Sequence, residues 1–382
     1  MFLNLKNALR ASSIALFATS MNVYAETESA QNSCTQSPCE EKCPTVECCV
    51  EPVSEPCAFA YPYYLDLNCP RDTYFRADFL YMQAKQDGLE FAIENKNGVE
   101  GGSDPLIRGP VHSFTGESGD FSWNPGMRLG LGFYLAHDAW NLDFDWTWVH
   151  VTNYERAVAT DPNGVFVPLQ TTGAGNTGTT VFGKSVSSKW NAKYNTVDAR
   201  LGKPYYVSRN LTFHPHFGLR GACIDQNYSV SYAGSTNHRT IFDSTNNFWG
   251  VGSRVGLDTE WIMGQGWSFF GNVAASMLFG RFDVDQNMRY GSTTVLDQGF
   301  DIDFDSYQNV PNMEIVLGFS WGTYFNCHKN HVSFKAAYEF HEWWDQLNIR
   351  KFYSGSTGYA NDVVSRGNFT LNGVSFRVQI DI

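Results

Sequence analysis

The sequence predicts an all-β protein, a transmembrane antiparallel β-barrel of about 14–16 strands, and three observations lead there. The first is the stretch 138–151, DAWNLDFDWTWVHV. Trp140, Leu142, Phe144, Trp146 and Trp148 fall on one side of an extended strand, and Asn141, Asp143, Asp145 and Thr147 on the other. A period of two with tryptophans on one face and carboxylates on the other suits lipid outside and water inside. The second is the absence of any apolar run of about 18 residues, which excludes a helical span. The third is an alternation of long polar loops with tight turns, the asymmetry of outer-membrane barrels.

The bulk composition agrees with this class. Only 17% of the 382 residues are charged, 15% are aromatic and 34 are glycine, while mean hydropathy stays negative because alternation hides the apolar band. The net charge of −12 and the lack of a basic stripe exclude a nucleic-acid partner.

Residues 1–25 read as a secretory signal: Lys6 and Arg10, a short apolar core, then Val23-Tyr24-Ala25 at the cleavage position. Residues 26–70 form a Pro- and Glu-containing segment with Cys34, Cys39, Cys43, Cys48, Cys49, Cys57 and Cys69. Behind an export signal these are disulfide candidates rather than zinc ligands, whose paired C-x2-C spacings are missing. Seven is odd, so at least one thiol is free, pairs with Cys223 or Cys327, or reaches another chain.

Residues 71–382 carry the strands. Phe75, Ala77, Phe79 and Tyr81 alternate with Arg76, Asp78 and Leu80, and a turn at Asp87-Gly88 leads to a second strand over 89–94. Segment 95–122 reads as an external loop, 127–135 as the strand before the tryptophan strand, and 155–188 as a second loop that is the first choice for a constriction. Strands follow over 190–203, 210–223, 248–263 and 267–282; 290–309 reads as a polar loop, and 313–325 with 331–343 as a hairpin. The terminal strand alternates Phe376, Val378, Ile380 and Ile382 with Ser375, Arg377, Gln379 and Asp381. Segments 226–233 and 349–353 are candidates for the further strands that an even total requires.

Catalytic and metal motifs fail on inspection, so no enzyme activity, cofactor or metal is expected. The glycines of 250–256 lack dinucleotide spacing and a following helix. His341-Glu342-Trp343-Trp344-Asp345 lacks the second histidine of a zinc protease helix, which leaves His341 as a lumen or rim residue. Asp301, Asp303 and Asp305 open like a calcium loop, yet Ser306 and Asn312 occupy the glycine and glutamate positions, so a solvated acidic loop is expected. His214 and His216 share a face and are read as lumen polarity.

A ring of about 16 strands would leave an aqueous channel. Strand phase places Asp143, Asp145, Asp198, Arg200, Arg220, Arg254, Asp258, Glu260, Glu314, Lys335 and Glu339 on its lining. Small hydrophilic solutes and ions would cross it passively, with the acidic excess giving a mild cation preference. The alternative is a structural or adhesin surface protein whose barrel is closed or plugged and whose cysteines link the envelope.

The stretch LTFHPHFGLRGACIDQNY at 211–228 resembles the Legionella-type major outer membrane protein family, including the major-outer-membrane-protein-like porins of chlamydia-related bacteria. YFRADFLY with KQDG (74–88), WNPG with RLGLG (123–132), FWGVG with GLDT (248–259), FFGN with LFGR (269–281) and the region 332–348 fit the same pattern. The resemblance covers about 71–382 and implies an abundant pore-forming protein of the Gram-negative outer membrane. Its partners would be outer-membrane lipid and small solutes, with a homo-oligomer and disulfide-linked envelope proteins as further candidates. The cysteine-rich leader is not part of the shared pattern.

Overall fold

The computed structural model describes residues 61, 62, 65, 67, 72–95, 110–114, 122–135, 140–160, 164–169, 183–234, 238–292, 296–354 and 360–382. The expected signal sequence and the seven leader cysteines lie outside them.

Ten strands close a single antiparallel ring: β1 (Thr73–Gln86), β2 (Trp123–Leu135), β3 (Trp140–Val158), β4 (Ser185–Gly202), β5 (Leu211–Ala233), β6 (His238–Gly264), β7 (Trp267–Ser292), β8 (Leu296–Phe325), β9 (Asn330–Trp343) and β10 (Phe369–Asp381). Each pairs with its neighbours in sequence, and β10 returns to β1, Phe376 opposite Phe79 and Arg377 opposite Asp78. The expected count of about 14–16 is therefore too high. Segment 226–233 continues β5, and 290–309, read as a loop, is the end of β7 and the start of β8. The strand expected over 89–94 is Ala92–Asn95, which pairs with Val111–His112 and Val165–Pro168 in a small separate sheet. Ile349–Ser354 pairs with Ala360–Ser365, also outside the ring.

The miscount has a physical cause. β5 to β8 run to 23, 27, 26 and 30 residues, whereas a tilted strand crosses a bilayer in about 9–11. Their far halves form a wall standing clear of the lipid, and there the alternation changes sense. In β7, Phe269, Val273, Met277 and Phe279 point outward along the membrane band. Beyond them the outward residues become Arg281, Asp283 and Asp285, while Phe282, Val284 and Met288 point in and are buried. In β8, Asp301, Asp303 and Asp305 are likewise outward on a strand, not in a loop, and Asp305 accepts hydrogen bonds from both Nε and Nη2 of Arg281.

The connections at one end of the ring are all short, among them 203–210, the turn at Gly264-Gln265-Gly266 and Asn326–Lys329, whereas the other end joins β5 to β6 and β7 to β8 by short connections and the remaining strands by long ones. β1 begins and β10 ends at the end with short connections alone, so this is the periplasmic end by the usual barrel orientation. Cys327 lies in the Asn326–Lys329 turn, and Cys223 lies within β5 between the inward Ala222 and Ile224. The long connections 87–122, 159–184 and 344–368 leave from the opposite end.

The outer surface of the near half is apolar. Phe75, Phe79, Leu129, Phe144, Leu219, Val255, Phe319 and Phe376 are all exposed to it. An arginine in place of Leu129, midway along β2, should cost about 2–4 kcal/mol in urea unfolding from lipid vesicles. Asp303→Arg, on the wall outside the lipid, should change stability by less than about 0.5 kcal/mol.

Candidate functional site

Inside the near half, alternate residues of nearly every strand project charge into the bore. The structure sets the eleven residues selected by strand phase along two cavities inside the ring. Most of them are engaged with a partner side chain. They join Arg76, Arg128, Arg377, Asp78 and three histidines in a lattice in which cations and carboxylates alternate.

One part is built on β1, β3 and β4. Arg76 reaches Asp143 at 2.7 Å and Asp145 at 3.0 Å, and Arg200 reaches Asp145 at 2.5 Å. Tyr74 donates to Asp143, and Asn141 donates to the same carboxylate at 3.1 Å. β2 crosses this cluster with glycines because nothing larger fits. A Cβ at Gly130 would strike Asp145 and Arg76, and one at Gly132 would strike the Tyr74 ring.

A second part joins β1, β2, β9 and β10. Arg128 bridges Asp78 at 3.0 Å and Glu339 at 2.8 Å, and Arg377 holds Asp78 from the other side at 2.8 Å. The third part spans the bore. Arg220 on β5 donates to Asp198 on β4 at 2.6 Å and to Glu314 on β8, and its plane lies over Trp343. Arg254 also holds Glu314 at 2.6 Å, and His341 sits between Glu314 and Glu339 at 3.2 and 3.0 Å.

Nearer the periplasmic end, His214 and His216 both approach Asp258 at 3.5 Å. Glu260 accepts from Ser268 and Ser320, and Lys335 lies 5.0 Å from the Phe270 ring centre. All of these groups except His216 border a vestibule of about 390 Å³, and a second cavity of about 90 Å³ lies deeper, within the lattice.

Toward the other end the bore becomes apolar. Trp190 and Tyr194 of β4, Trp343 of β9 and Phe369 of β10 meet edge-to-face or stacked in one layer, joined by Leu80 and Met82 of β1. Above them, connecting segments enter the bore. Phe91, Phe114 and Phe166 are buried among the Tyr228, Tyr232 and Phe242 side chains. Gln346, Leu347 and Ile349 fill the side nearest β6 and β7, with the Gln346 carbonyl accepting from Asn246 at 2.9 Å. Within the segment chosen as a constriction, 155–188, Phe166 does enter the bore, but it shares that role with 89–92, 114 and 344–350. Among the described residues the ring thus encloses no wide aqueous channel of the kind expected from about 16 strands.

Arg76, Arg128, Arg377 and Asp78 complete the lattice and were legible by the same rule, since each lies on the polar phase of a strand whose apolar phase is plain. What no phase rule gives is pairing across the bore, such as Arg220 with Glu314, ninety-four positions apart.

Removing one member of a buried ion pair leaves its partner uncompensated. Arg220→Leu should therefore lower stability by about 3–5 kcal/mol. Adding Asp198→Asn and Glu314→Gln to it should recover part of the loss. Equilibrium urea unfolding followed by tryptophan fluorescence distinguishes the two.

Comparison with known proteins bears on this barrel. No curated protein matches the chain at a significant level. The outer membrane protease OmpT from Escherichia coli matches at 9% identity and a TM-score of 0.39, over 82% of this chain and 98% of that one. A monoaromatic hydrocarbon channel, the TodX deltaS2S3 mutant, matches at 9% identity and 0.24, over 82% and 90%. A Pseudomonas aeruginosa FadL homologue matches at 8% and 0.22, over 81% and 89%. Identities and scores this low carry no functional argument. The family model of the Legionella pneumophila major outer membrane protein precursor, in contrast, matches residues 69–382, the whole of the ring described above. This outer-membrane β-barrel belongs to that family.

Proposed function

We propose that the protein is a pore-forming outer-membrane protein of narrow bore, with no enzymatic role, that passes small hydrophilic solutes and ions by diffusion. The structure then represents its closed conformation. The observation that carries this reading is the lining of the membrane-level lumen. A barrel required only to fill space gains little from buried ion pairs, because apolar side chains of similar volume are often as stabilising or more so. Here the polar path runs from an open vestibule through a charged lattice and stops at one aromatic layer.

That layer is made of side chains and loop segments, not of ring backbone. Opening it requires rotamer changes of Trp190, Tyr194 and Trp343 and withdrawal of the segments carrying Phe91 and Phe166, with every ring hydrogen bond kept. Loops folded into a bore are a common way for channels to set access.

A second reading, a plugged structural barrel, is favoured by the same layer taken as permanent. A ring this small can be filled by side chains, as the smallest barrels are. The leader cysteines would then link the protein to its envelope neighbours. Identical mobility on reducing and non-reducing gels of isolated envelopes would exclude that linkage.

Single-channel current across a planar bilayer separates the two readings. The wild-type protein should give brief, small conductance steps, and a Trp190→Ala, Trp343→Ala double variant should remain open longer with larger steps. If both proteins insert as folded, heat-modifiable barrels and neither conducts, the pore reading fails and the structural one stands.

A further inference from the structure

The outer face of β3 and β4 carries basic side chains that nothing in the ring neutralises. Beyond the lipid-facing Trp146 and Trp148, the next outward residues of β3 are His150, Thr152, Tyr154 and Arg156, all exposed. On β4, Lys193 and Lys189 are exposed on the same face, Lys193 directly opposite His150 and Lys189 directly opposite Tyr154. Cross-strand neighbours of this kind have Cβ atoms about 5 Å apart, and diagonal ones about 7–8 Å. One patch therefore holds His150, Lys193, Lys189 and Arg156. None of the four has a hydrogen bond or ion pair among the described residues. Asp225, opposite Lys193 on β5, is the one carboxylate on the outer face of β3 to β5 among those residues.

Solvated protein surfaces ordinarily intersperse charges of both signs. Other parts of this outer surface do so: Arg281 pairs with Asp305 and Arg289 with Asp243, each at 2.7 Å. Lys85 on β1 pairs with Asp87 at 3.2 Å. Cations gathered without a partner repel one another, and an anion supplied from outside the chain removes that cost.

Position says which anion. The patch begins two residues beyond Trp148, about 7 Å along the strand. On β1 and β2 the apolar face ends nearby with Tyr81 stacked on Trp123, and aromatic residues of this kind mark the membrane boundary. The patch faces the end from which the long connections leave, opposite the periplasmic turns, so the headgroups it meets are those of the outer leaflet. In a Gram-negative outer membrane these belong to lipopolysaccharide, whose lipid A sugars carry phosphates.

We propose that the outer face of β3 and β4 is a docking site for one lipopolysaccharide molecule, with its acyl chains against Trp146, Trp148 and Val197 and its sugar phosphates on Lys193, Lys189 and Arg156. Val197 is exposed directly opposite Trp146. Lysine and arginine bind phosphate through charge-assisted hydrogen bonds, arginine commonly through two at once. The outer face of β7 and β8 disfavours the same lipid, since Asp283 stands opposite Asp305 and Asp285 opposite Asp303. The site is separate from the lumen and holds whether or not the bore conducts.

The test is native mass spectrometry of the folded full-length protein in detergent, with diphosphoryl lipid A as the probe. EDTA is present, so that no divalent cation bridges the lipid to the acidic face. One retained molecule per chain is expected, and dephosphorylated lipid A should be retained about tenfold less or worse. A Lys189→Gln, Lys193→Gln variant should bind lipid A more weakly, by about fivefold for each lysine removed. Lys189→Arg with Lys193→Arg should bind as the wild type does, and so should Arg281→Gln on the acidic face. No retention by the wild type, equal retention of the dephosphorylated lipid, or unchanged binding in the glutamine variant overturns the proposal. Should the glutamine variant fail to fold, acetylation of the folded wild type decides. Protection of Lys189 and Lys193 by lipid A supports the site, and equal labelling with and without it refutes the site.

Discussion

Closure of the ring is the constraint from which the rest of the structure follows. A sheet edge exposed to hydrocarbon would leave its N–H and C=O groups without partners, at several kcal/mol each. The pairing of β10 with β1, thirteen residues from Phe369–Gln86 to Asp381–Tyr74, removes that edge at membrane level. Once ten strands have closed, the bore is fixed at a width that side chains from opposite walls can bridge. Arg128 on β2 meets Glu339 on β9, and Arg220 on β5 meets Glu314 on β8. In a wider ring the same residues would face water across a gap.

Bridging in turn dictates composition. A charge facing a narrow, mostly dehydrated lumen needs a partner within hydrogen-bond distance, and the lattice gives each carboxylate at least one. Small residues follow from the crowding: Gly130 and Gly132 face Arg76, Asp145 and Tyr74, and Gly256 faces His216. A Gly-rich run at 250–256 thus reflects space inside a barrel, with no bearing on nucleotide chemistry. Where the wall leaves the membrane, water wets its outer face and the lumen fills with Phe and Tyr from the connecting segments. The single alternating pattern then reverses which face is apolar, within one continuous strand.

The two halves of the lumen differ in what can move them. The charged half is held by ring strands whose backbones are hydrogen-bonded on both sides. The apolar half depends on segments such as 89–92 and 344–350, tied to the wall by a few bonds, including Tyr232 to the Phe91 carbonyl and Gln308 to the Asp345 carbonyl. Loops of this kind open at lower free energy than core strands.

The sequence by itself determined the barrel class and the two faces of the alternating stretches in the near half of the ring. Period-two alternation is a local property, so Trp140 to Trp148 and Phe376 to Ile382 reveal their faces without reference to any neighbour. Strand number was not legible, because 226–233 and 290–309 carry the polar outer face of a wall in water, which in one dimension resembles a loop. The inward segments were hidden for a related reason: Phe91 and Leu347 sit in connections, and Phe166 in a four-residue strand outside the ring, whose composition does not say whether they fold in or out. Only tertiary structure decided the strand count, the bore width that count imposes, and hence which arginine reaches which carboxylate. Those are distances between residues up to about three hundred positions apart, such as Arg377 and Asp78, and no local pattern encodes them.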